Sequence, residues 1–143
     1  MGYKAIDISA IQKAIMYNFN SLSLDIKTSL SGGLYYKQAP KNVSYPYGTF
    51  SIGAIAQDHD SGDNTWNIPI LFNIYSDDAN SAEISTLTYD LQEMILENSI
   101  NQNQTFYNWI KTMHDFTLYN RIEEGKKRIN TSSTQIEINI QKR

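Results

Sequence analysis

The chain has 143 residues, enough for one domain built on one core. Its 41% hydrophobic content excludes a disordered chain, and its 19% charged residues with a net charge of −3 exclude a global field that draws it to nucleic acid. It has no cysteine, which excludes disulfides, thiolate chemistry and zinc sites built on Cys.

The first nine residues lack the charged and apolar regions of a signal peptide, and no apolar run is long enough to span a membrane. The expected location is therefore a cytoplasm, or a particle assembled there. Ile8, Ile11, Ile15, Phe19 and Leu22 recur at spacings of three and four, which predicts a helix with one apolar face. Asp7 is placed to cap it. Asn18, Asn20, Ser21 and Ser23 predict a break, after which Leu22, Ile26 and Leu30 form a second short helical turn. Ser31-Gly32-Gly33 ends that turn.

Residues 34–37 read as a short strand, followed by a loop bounded by Pro40 and Pro46. Phe50, Ile52, Ala54 and Ala56 then alternate with polar or small residues, as do Trp66, Ile68, Ile70, Phe72 and Ile74. Residues 58–64 join these two strands as a hairpin. Pro69 has no amide proton, which predicts that its strand lies at an edge or is bulged there. Asn80 and Glu83 have capping-box spacing, and Ile84, Leu87, Leu91, Met94 and Ile95 make a helix stripe. Residues 105–122 read as a strand, residues 123–133 as a charged, polar turn around Gly125, and residues 135–141 as a closing strand. The predicted fold class is α+β: a mainly antiparallel sheet of four to five strands packed with two helices, in a single domain covering residues 1–143.

No segment carries a reaction centre. Asp58, Asp60 and Asp63 with His59 could hold Ca²⁺ through carboxylate oxygens, as a small metal-dependent hydrolase would. Their spacing is not that of an EF-hand, however, and Asp and Gly are what a solvated hairpin turn uses. Asp77-Asp78 suits the positive end of a helix better than half of an acid–base pair. His114 and Asp115 are adjacent, so in a strand they point to opposite faces and do not form a catalytic pair. No nucleophile elbow, Walker loop or dinucleotide fingerprint occurs. Lys126-Lys127-Arg128 is the one basic run, offset locally by Glu123-Glu124. It reads either as a solvated tip or as a contact for phosphates. Catalytic, cofactor and metal residues are therefore expected to be none. Low charge and 10 tyrosines point instead to lasting protein–protein contact.

Gly33-Leu34-Tyr35, Ala39-Pro40 and Tyr45-Pro46-Tyr47-Gly48-Thr49-Phe50 occur in this order before the hairpin. Ile70-Leu71-Phe72-Asn73-Ile74-Tyr75-Ser76 then runs into the second long helix, and Ile136-Glu137-Ile138-Asn139-Ile140 closes the chain. In this order and spacing the sequence resembles the phage tail terminator and tail-completion (head–tail joining) proteins, from the first helix to Ile140. The resemblance implies a non-enzymatic virion protein that forms a homo-oligomeric ring of six copies at the head-proximal end of a tail. It also implies that the ring stops tail-tube growth, touches the tail-tube protein on one side and a neck or head-completion protein on the other, and lets DNA pass through its lumen. Lys126, Lys127 and Arg128 are the expected lumen or partner contacts, and Asp58, Asp60 and Asp63 the expected turn contacts. A neck or head-completion ring of the same stack is the alternative.

Overall fold

The computed structural model describes residues 8–22, 24–54, 56–57, 65–78, 82–97, 106–124 and 127–142. The N-terminal stripe forms α1 (Ile8–Tyr17), in which Ile11, Ala14 and Ile15 are buried. The break expected at the Asn and Ser residues is a π-helical turn, Asn18–Leu22, which widens the helix by one residue per turn and carries Phe19 into the core. A short α2 (Leu24–Ser29) follows and buries Ile26.

The strands are β1 (Leu34–Tyr36), β2 (Tyr47–Ile52), β3 (Ala56–Gln57), β4 (Thr65–Ser76), β5 (Phe106–Glu124) and β6 (Lys127–Lys142), with α3 (Ala82–Glu97) between β4 and β5. Their order in the sheet is β1-β2-β4-β6-β5, and β3 also pairs with β4. Every pairing is antiparallel except β1 with β2. The α+β class and mainly antiparallel sheet match the sequence reading; α2 and the two-residue β3 complete the count of elements.

One sheet face carries the core. Phe50 of β2, Ile68, Ile70, Phe72 and Ile74 of β4 and Ile136 of β6 form one cluster with the buried residues of all three helices, including Ile84, Leu87, Leu91 and Met94 of α3. On β6 the same face continues as Thr134, Ser132 and Asn130, all buried. These small polar residues lie beneath α3, where the Thr88 and Ser132 hydroxyls meet at 2.7 Å. Asn130 donates to the carbonyl of Asp78 at 2.8 Å and so ties β6 to the segment leading into α3.

One expectation is narrowed and one changes. Of the two settings that Pro69 allowed, an edge or a bulge, the edge is excluded, because β4 is an inner strand. The proline's missing donor is accommodated because the neighbouring strand is interrupted there: β2 ends at Ile52 opposite Ile70, and β3 resumes at Ala56 opposite Asn67. Between these two pairings the register shifts by one residue, a bulge, and Ala54 and Ala56 are exposed and not on the inner face. Residues 123–124 and 127–133 are strand, not a long turn. Glu123 pairs with Arg128 and Glu124 with Lys127, and Ile129 is only 1% exposed. The expected Asp7 cap and Asn80 of the capping box lie outside the described residues; Glu83 accepts a hydrogen bond from the buried Ser76 hydroxyl at 2.7 Å.

Candidate functional site

A parallel pair of neighbouring strands needs a connection that runs back along the sheet. Between β1 and β2 that connection is residues 37–46. Lys37 turns it with a left-handed backbone (φ 65°), a conformation uncommon outside glycine, while its amide stays bonded to the Phe50 carbonyl at 2.8 Å. Gly32 lets the far end of the connection pass closely: its amide donates to the Pro46 carbonyl at 2.8 Å, and a Cβ there would collide with the Ser44 carbonyl.

The returning segment and the outer sheet face enclose a cleft of about 420 Å³. Its floor is Tyr47 and Thr49 of β2 with Tyr75 of β4, and its walls include Lys37, Lys41 and Tyr45. Tyr47 stacks on Tyr75 with ring centroids 4.9 Å apart, and Tyr45 packs on Tyr47 at 5.4 Å. Both spacings lie in the favourable range for aromatic pairs, so the three rings form one connected surface. Lys37 and Lys41 are exposed, and among the described residues no Asp or Glu lines the cleft. The Lys37 ammonium lies 5.4 Å from the Tyr36 ring centroid, within cation–π range. The cleft therefore joins flat aromatic area to positive charge, which suits an anionic, partly flat ligand or segment.

Among the described residues, the outer face beside the cleft carries polar and apolar side chains. Ser133 donates to the Asn73 side chain at 2.6 Å, and Leu71 is 36% exposed. All three helices contribute to the core cluster on the opposite face.

The residues singled out from sequence are elsewhere. Asp58, His59, Asp60 and Asp63 lie outside the described residues, in the segment joining β3 to β4. Lys126 also lies outside them, while Lys127 and Arg128 open β6 opposite Glu124 and Glu123. His114 and Asp115 are in β5, where only the backbone is described. Among the described residues, no group of three His, Cys, Asp or Glu could hold a metal ion, and no helix is long and apolar enough to cross a membrane. The cleft was missed because its parts are far apart in sequence. The Tyr45-Pro46-Tyr47 run was visible, but Tyr75 joins it only through the β2–β4 register.

No protein-family model matches the chain, and no curated protein does. Among solved structures, the gp17 protein of bacteriophage SPP1 is similar over 95% of both chains, with a TM-score of 0.52 and 16% identity. A second solved structure is similar over 96% of this chain and 97% of its own, with a TM-score of 0.55 and 12% identity. The chain thus shares its general fold with a bacteriophage protein.

Proposed function

We propose that this chain is a structural protein of a tailed-phage particle that assembles as a six-copy ring at the head-proximal end of the tail. The ring ends tail-tube polymerisation and presents a surface to the neck. The role is geometric, not enzymatic. One face fits the last tube subunits, and the other does not template more of them. The observation that carries this reading is the fold shared with a bacteriophage protein over 95% of both chains. The tail-terminator-like order of the Tyr45-Pro46-Tyr47 lead-in, β4 and α3 supports it. In this arrangement Lys126, Lys127 and Arg128 face DNA in the lumen or an adjacent ring.

Cryo-electron microscopy of the particle tests the proposal. One closed ring of this chain at the junction of tail tube and neck is expected. A helical array along the tail would make it a tube protein. A ring bound to the portal without tube contact would make it a head-completion protein. Absence from the particle would overturn the reading.

A further inference from the structure

We propose that the cleft formed by Lys37, Lys41, Tyr45, Tyr47 and Tyr75 receives the acidic segment 58–64 of a second copy, making a head-to-tail contact. This rests on the ring reading above and names the contact that closes the ring.

Charge selects the occupant. The cleft has two exposed lysines and, among the described residues, no lining carboxylate. Asp58-His59-Asp60-Ser61-Gly62-Asp63-Asn64 places three carboxylates within six residues and has no Lys or Arg. The volume, about 420 Å³, is that of a small ligand pocket and takes a few side chains of a turn.

Position excludes the chain's own segment. The segment leaves the sheet where Gln57 pairs with Trp66, while the cleft lies where Tyr47 pairs with Tyr75. Trp66 and Tyr75 are nine steps apart on one strand, about 30 Å at roughly 3.3 Å per residue. A seven-residue connection anchored at both ends reaches outward by half its length, about 12 Å. The contact is therefore between copies. Because donor and acceptor are different surfaces of one chain, it is heterologous, the kind that generates a closed ring when the rotation closes and a filament when it does not.

The test uses the full chain and two charge-reversed variants, K37E/K41E and D58K/D60K/D63K, followed by sedimentation velocity at low and high salt. Wild type should associate, and less at high salt, because exposed charge pairs are screened. Each variant alone should lose association by at least tenfold while keeping the wild-type melting temperature. An equimolar mixture of the two should regain it, since every cleft then meets a segment of opposite charge, alternating around an even-numbered ring. The milder pair K37A/K41A, which weakens association without reversing charge, guards against a folding defect in the first variant. Variants that associate like wild type, or a mixture that stays apart, would overturn the contact while leaving the ring reading intact. A wild type that stays monomeric when concentrated and never forms rings on tails would overturn both. If K37E/K41E loses binding to duplex DNA but not self-association, the cleft takes phosphate and the proposed contact is wrong.

Discussion

Gly53 and Pro69 are fitted to each other across the break between β2 and β3. The Gly53 amide donates to the Pro69 carbonyl at 2.8 Å, and a Cβ on Gly53 would stand 2.9 Å from Pro69 Cγ. The proline that cannot donate thus faces the residue that cannot crowd it. Gly53→Ala should destabilise the protein by about 1–3 kcal/mol, the cost of overpacking. In a Pro69→Ala background the collision is gone, and the same substitution should stabilise by about 0.4–1 kcal/mol through the unfolded state. Urea melts of the four variants read this change of sign.

The Thr88–Ser132 contact has a direction. Thr88 gives its one proton to the Ile84 carbonyl at 2.7 Å, so at the 2.7 Å contact between the hydroxyls Ser132 is the donor. Thr88→Val strands that buried donor and should cost about 1–3 kcal/mol, more than Ser132→Ala, and the double variant should cost less than the sum. Thr134, two residues along the same face, is the contrast: its hydroxyl is buried without a hydrogen-bond partner among the described residues. Thr134→Val should raise stability by about 0.5–2 kcal/mol in the same melts.

Ile129, near the start of β6, is buried, but its position alternates with those of Asn130, Ser132 and Thr134 and it is not part of the main core cluster. Ile129→Ala should nevertheless cost about 2–5 kcal/mol in urea melts, because the side chain is buried. An unchanged midpoint would mean that it is not packed.

Much of the sheet was legible because its strands bury one face. Ile68, Ile70, Phe72 and Ile74 alternate cleanly, and β4 extends one residue past the expected stretch at each end. The α3 stripe was equally plain. Residues 123–133 misled because Asn130, Ser132 and Thr134 occupy inner-face positions with polar side chains. Asn130 and Ser132 hydrogen-bond to α3 and its lead-in, and hydrophobic periodicity does not register that. Pro69 left edge and bulge both open: which of them holds depends on a partner's interruption at Gly53, which its own residues do not encode. The cleft was illegible because a parallel pairing between β1 and β2 is a property of topology.

Asp90 on α3 has its carboxyl pKa raised, chiefly by burial and further by the negative charges of Asp25 and Glu93. A raised carboxyl binds its proton more tightly in the folded state. Its contribution is therefore most favourable when protonated and is lost as pH rises through the folded value. At neutral pH the charged form opposes folding. Asp90→Asn should thus raise the melting temperature slightly at pH 7, within about 0.5 kcal/mol. At a pH below the ordinary carboxylate value of 3.8 the gain should vanish. Paired thermal scans at the two pH values measure it.

The order β4-β6-β5 places the last of the six strands between two that precede it. Twelve rungs join β6 to β4 and fifteen join it to β5. While a ribosome is still adding residues before Lys127, β4 has a bare flank, and β5 has nothing to hold it in register. The sheet cannot be finished piecemeal from the N-terminal side. A chain that stops before β6 therefore never owns a completed sheet, and any contact which that sheet makes must wait until β6 has been synthesised.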